Sequence, residues 1–83
     1  MTKLTKADIP ASLRGLNWIE ATEENCEPYE EHEVLIAIPH RFGEESKYVF
    51  SLVCMDVYDG VEFGDSMGSY WGDSEVDYFV PIV

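Results

Sequence analysis

Carboxylates are the groups through which this chain could do chemistry. Seven glutamates occupy the fourteen positions 20–33 (EATEENCEPYEEHE), and Asp73, Glu75 and Asp77 recur at every second residue further on. Carboxylates at such density serve three ends: proton transfer, cation binding, or presenting negative charge in place of another anion. Each end demands a different arrangement.

Catalysis needs a nucleophile, a base and a group that orients the base. Ser, Cys, His and Glu are all present, but in no spacing that builds such a relay. The glycines at 60, 64, 68 and 72 are followed by neither a lysine nor a helical pattern, so they form no phosphate loop. The chain is read as non-enzymatic, with no catalytic residue. Zinc would find suitable atoms in Cys26, His32, His40 and Cys54, yet five, seven and thirteen residues separate them and no Cys-x-x-Cys knuckle occurs. The stretch DVYDGVE (56–62) lacks the alternating oxygens of a calcium loop and reads as a turn with solvated acids. No metal or cofactor is expected.

Anion presentation fits better. On an extended strand, every second side chain shares a face, so successive carboxylates lie roughly 6.5–7 Å apart. That interval is comparable to the spacing of phosphates along a nucleic-acid strand. Asp73, Glu75 and Asp77 would form such a row if 73–77 is extended, and Glu31 and Glu33 would begin another. Glu20, Glu23, Glu24, Glu27 and Glu30 would add a less ordered line.

The global charge agrees. The chain carries a formal net charge of −12, which repels DNA, RNA and anionic membranes and attracts basic proteins. The charge is uneven. Residues 1–14 hold Lys3, Lys6 and Arg14 against one acid, Asp8; residues 15–83 hold the other sixteen acids against Arg41 and Lys47. The alternative is that this charge is only a solvated face, which is what a charge run usually is.

The elements that must position these groups can be sketched. Eighty-three residues with 46% apolar and 13% aromatic side chains suffice for one domain with a thin core. We divide it into an N-terminal tail with a helical turn (1–16) and a β-rich body (17–83). Asp8, Pro10 and Gly15 mark the start and stop of the turn, which Leu13 and Leu16 should dock. NWIE (17–20) is extended, with Trp18 or Ile19 pointing inward. Pro28 breaks the acidic stretch, which should be irregular with one helical turn before the proline. EVLIAI (33–38) is a strand stopped by Pro39, HRFGEES (40–46) a turn, and KYVFSLVCMDVYD (47–59) the central strand, apolar on both faces. Residues 61–75 read as a glycine-rich loop with a short strand, and VDYFVPI (76–82) as a final strand whose Pro81 places it at an edge. The fold class is α+β and mostly β: a small antiparallel sheet of three to five strands with a short N-terminal helical turn.

Two cysteines are too few for a disulfide scaffold, and the N-terminus lacks an apolar run. Both point to reduced thiols and a cytoplasmic setting.

Residues 18–82 resemble a family of small phage and prophage proteins known only as a domain of unknown function. The matching positions are Trp18-Ile19, Pro28, Val34-Leu35-Ile36, Tyr58-Asp59-Gly60, Trp71, Val76 and Pro81-Ile82. The family closes on Val-Thr-His-Trp-Met-Pro-Leu-Pro; here Asp77-Tyr78-Phe79-Val80 replaces Thr-His-Trp-Met and the last proline is missing. The resemblance implies a β-rich fold and a phage origin, and it carries no activity.

The expected function is that of a phage-type acidic inhibitor. It would mimic DNA and occupy the DNA-binding cleft of a host nuclease, restriction or CRISPR complex, or repair enzyme. Glu23, Glu24, Glu27, Glu30, Glu31, Asp73, Glu75 and Asp77 would meet the partner, with Tyr70 and Trp71 as apolar anchors and Met67 beside them. The partner is a basic host protein, with no direct contact to nucleic acid or membrane, and the chain itself is a monomer or small homo-oligomer. The alternative is an accessory protein-binding module that uses the aromatic loop 63–71 without mimicry.

Overall fold

The computed structural model describes residues 4–57 and 60–82, the Asp73 side chain excepted. Six strands form one sheet: β1 (Ile19–Glu20), β2 (Glu33–Phe42), β3 (Glu45–Val57), β4 (Val61–Gly64), β5 (Tyr70–Gly72) and β6 (Tyr78–Pro81). All neighbours are antiparallel, in the order β1-β6-β2-β3-β4-β5, and the sheet curls into a half-barrel. The fold is mostly β as expected, but it has more strands than the three to five anticipated. The addition lies in 61–75, where one short strand was expected and two form, β4 and β5; β5 is too short to show a period-2 pattern in the sequence.

The long β2–β3 hairpin is the frame. Its register pairs Glu33 with Cys54 and Phe42 with Glu45, so the turn is only Gly43–Glu44, where a longer turn over 40–46 was expected. Gly43 sits at φ +64°, the positive first position that a tight two-residue hairpin loop requires. Pro39 does not stop β2, and the reason is its neighbour. The Ala37 carbonyl accepts from Asp77 N–H at 3.1 Å, so odd-numbered residues of β2 face β6. Pairing with β6 ends at Ala37, so the N–H that Pro39 lacks falls where nothing asks for it. Pro81 is accommodated in the same way. Ile82 N–H donates to the Glu33 carbonyl at 2.8 Å, so Pro81 faces away from β2, past the pairing with β1, which reaches only Phe79. The strand is thus interior at one end and open at the other.

Both faces of the frame are covered, by different segments. One face buries Val34, Ile36, Val53, Met55, Phe63 and Phe79, under Ala21 and Cys26. The expected helical turn before Pro28 is present as α2 (Glu23–Cys26), capped by the Thr22 hydroxyl, which accepts from Asn25 N–H at 3.2 Å; a 3-10 turn, Glu27–Tyr29, follows. The other face buries Ala37, Tyr48 and Val80 under Ile9 and Trp18. Trp18 is the inward residue of the pair, with Ile19 half-buried.

Here the N-terminal expectation needs correction. Asp8 does not cap the helix at Pro10; its carboxylate accepts from Thr5 N–H at 2.7 Å and closes an earlier 3-10 turn, Lys6–Asp8. Helix α1 (Ala11–Arg14) follows, and the residue that docks the segment is the fully buried Ile9, with Leu13 beside it and Leu16 exposed. Ile9 precedes the helix, so the apolar face of the helix does not point to it. Trp18 ties the segment down by donating Nε1–H to the Leu13 carbonyl at 2.8 Å. Among the described residues no helix is long and apolar enough to cross a membrane.

Candidate functional site

The carboxylates gather at the end of the sheet away from the Gly43 turn, and they line up across strands, where the sequence suggested a row along one. On β3 and β4, Asp56 and Glu62 are directly opposite partners in register. In a backbone-bonded pair of this kind the Cα atoms are about 5.5 Å apart, and like charges so placed repel. On the β2 side, Met55 N–H donates to the His32 carbonyl at 3.0 Å while its own carbonyl accepts from Glu31 N–H at 2.8 Å. That double engagement seats Glu31 beside Asp56. On the β5 side, Gly72 opposes Glu62 and donates its N–H to the Glu75 carboxylate at 3.0 Å. Glu31, Asp56 and Glu62 therefore lie side by side across this end of the sheet, with Glu75 beyond β5 on the 3-10 turn Asp73–Glu75.

Glu31 sits in the left-handed region at φ +66°, the one described non-glycine residue with positive φ. A side chain there costs about 1–2 kcal/mol relative to ordinary backbone. Strain of this kind gathers at functional positions.

An open depression of about 330 Å³ lies at this end, edged by Glu31, Asp56, Glu62 and Asp65 with Cys54 and Tyr70. The Tyr70 ring lies over Gly64, its partner on β4; a Cβ at Gly64 would come within 2.8 Å of the ring. Asp65 has a second task. Its carboxylate accepts from Met67 N–H at 2.9 Å and Ser69 N–H at 2.8 Å, clasping the β4–β5 loop. Among the described residues the single ion pair is Lys47–Glu45 at 3.4 Å, at the opposite end of the molecule. None of the acids at this end takes part in an ion pair among the described residues.

The residues named from the sequence scatter more widely. Glu23, Glu24 and Glu27 are exposed on α2 and the turn after it, and Glu30 is exposed beside Glu31. The row expected along 73–77 does not form: Asp73–Glu75 is a 3-10 turn, so alternation fails there. Asp77 is half-buried, and its carboxylate accepts the Tyr48 hydroxyl at 2.7 Å. Burial, followed by this hydrogen bond and the Asp77 charge, pushes the Tyr48 hydroxyl far above the ordinary tyrosine range. On β5 the alternation sends Tyr70 outward and Trp71 inward against the main core. Met67, at the loop tip, is 88% exposed, and Tyr70 is 65% exposed.

Asp56, Glu62 and Asp65 were not assigned a partner-binding role from the sequence. One signal was available: Asp56 and Glu62 are equidistant from Asp59, so a hairpin centred there must oppose them. Asp59 itself, with Tyr58, lies outside the described residues. The four candidate zinc ligands are dispersed: Cys26 lies in the core under α2, Cys54 is exposed on the opposite face, His32 is beside Glu30, and His40 is on the hairpin against Phe42. No family model, curated protein or solved structure matches this chain.

Proposed function

We propose that this protein is a non-enzymatic, phage-type inhibitor whose acidic end occupies the DNA-binding cleft of a basic host enzyme or complex, in the host cytoplasm. The observation that carries the reading is the row Glu31–Asp56–Glu62 at one end of the sheet, with Glu75 beyond β5 and, among the described residues, no ion pair to any of the four. A preformed basic groove would gain from this line what it gains from phosphates, namely steered association and charge complementarity. The resemblance to phage proteins supports the choice of a host target. The test is capture from host lysate on the immobilised protein, with elution by duplex DNA and a polyglutamate resin as control. A DNA-processing enzyme released by DNA and absent from the control supports mimicry; release of the same proteins from both resins sinks it.

A second reading rests on the β4–β5 loop. Met67 and Tyr70 are exposed apolar groups on a loop that Asp65 holds in shape, which suits a protein-binding module without mimicry. Binding through that loop would survive high salt and be lost on Met67→Ala or Tyr70→Ala. Trp71→Ala is a poorer probe, because Trp71 supports the core.

A further inference from the structure

The two outer edges of the β2–β3 hairpin are unlike. On β2, the edge beyond β6 is blunted by Pro39, which offers no N–H. On β3 the situation is different. Met55 bonds to the β2 side, so odd-numbered residues of β3 face β2 and even-numbered ones face the β4 side. Cys54 and Asp56 meet Gly64 and Glu62 there, but β4 goes no further. Ser46, Tyr48, Phe50 and Leu52 direct their N–H and C=O groups past the end of β4, where no described residue pairs with them. This stretch contains neither proline nor glycine, and its one charge is Lys47. Such an edge is a template for another strand.

We infer that two copies of this chain pair antiparallel along β3, about a two-fold axis at Val49. This register engages all four outward-facing residues and brings the Gly43–Glu44 turn up against Gly64, where β4 ends. Tyr48 then faces Phe50 of the second copy, Ser46 faces Leu52, and Val49 faces Val49. Leu52, which is 52% exposed, gains a neighbour, and no like charges are directly opposed.

Two further features favour a second copy over a foreign strand. Antiparallel pairing brings the Gly43–Glu44 turn of each copy to the end of β4 in the other. There a concavity of about 320 Å³ stands open, bounded by Leu52, Val53, Gly64, Asp65 and Ser66. The arriving hairpin carries Arg41 and Lys47, the only lysine or arginine residues in 15–83, with Glu44 and Glu45, so the acidic end of one copy meets a stretch of zero net charge in the other rather than another acidic one. The closed, isologous contact continues one sheet through both molecules.

The experiment is sedimentation of the full chain over a wide concentration range, with Leu52→Pro alongside. Proline at 52 removes an outward N–H and leaves the bonds between β2 and β3 intact. We expect a concentration-dependent dimer for the native chain and a monomer with the same circular dichroism for Leu52→Pro. Should that variant fold poorly, cysteine pairing decides. In a Cys54→Ser background, Val49→Cys should form an interchain disulfide on mild oxidation, because the facing Cα atoms of an unbonded antiparallel pair are about 4.5 Å apart. Ser51→Cys, which faces Lys47, should not. A native chain that stays monomeric at every concentration overturns the inference, as does cross-linking no faster at position 49 than at 51.

Discussion

The two ends of the central hairpin are built on opposite principles. Near the Gly43 turn, the β2–β3 ribbon balances its charges, Lys47 pairs with Glu45, and the Tyr48 hydroxyl reaches Asp77. At the far end Asp56 faces Glu62, Glu31 occupies left-handed backbone, and among the described residues no ion pair offsets these charges. One end is arranged for stability. The other tolerates repulsion and strain, which folding alone does not require, and that contrast is the physical reason for proposing a partner there.

The contrast can be broken by substitutions, beginning with the largest expected effect. Reversing Glu31, Asp56 and Glu62 together to lysine should weaken binding to a basic target by at least tenfold while the fold persists; a competition assay against duplex DNA reads this. Unchanged affinity would free the acidic end of any role. At the other end, Tyr48→Phe should destabilise by about 1 kcal/mol through loss of its hydrogen bond, measured by urea unfolding, with binding unchanged. Glu31→Gly should do the reverse, stabilising by about 1 kcal/mol as the left-handed penalty disappears, while lowering affinity. A loss of stability in that variant would mean that the Glu31 side chain holds the fold together. Asp56→Lys should stabilise by a few tenths to about 1 kcal/mol by turning a repelling cross-strand pair into an attracting one, and added salt should shrink that gain.

Tyr48 also sharpens the comparison through pH. The folded state holds its phenolic proton well above the ordinary value of 10.0, whereas the unfolded chain releases it near that value. The folded state therefore binds more protons in this range, and stability falls as pH rises above the ordinary tyrosine value. Ultraviolet titration should show one tyrosine that ionises only as the protein unfolds. In Tyr48→Phe that late step should be missing.

Legibility in the sequence followed the length of each element. Apolar alternation over 47–57 and the β-branched run at 33–38 announced the two central strands, because their patterns persist for several residues. Residues 17–20 read as extended, but nothing local records that 19–20 pair with β6; residues 70–72 adopt strand along the edge of β4, and no local signal records that either. The passage of β2 through Pro39 was invisible for a related reason: it depends on where β6 stops, a fact about another segment. The acidic end is legible only in part. Glu31, Glu75 and Tyr70 are candidate partner-binding residues in the sequence and all three are exposed in the fold, but the row along 73–77 requires an extended backbone that does not form. Asp56 and Glu62 read as turn acids because a linear reading does not fold β4 back onto β3.

The position of β6 has a kinetic side. Residues 78–81 insert between β1 and β2, so the first strand of the chain has no hydrogen-bonded neighbour until the sixth has been synthesised. The β2–β3 hairpin, closed by local contacts, can form while the chain is still emerging from the ribosome, and β4 can add to it. Closure of the core around Phe79 must wait. During that interval the nascent hairpin exposes the side of β2 that β6 will cover, and the density of glutamate just upstream, at 20–33, would keep neighbouring nascent chains apart.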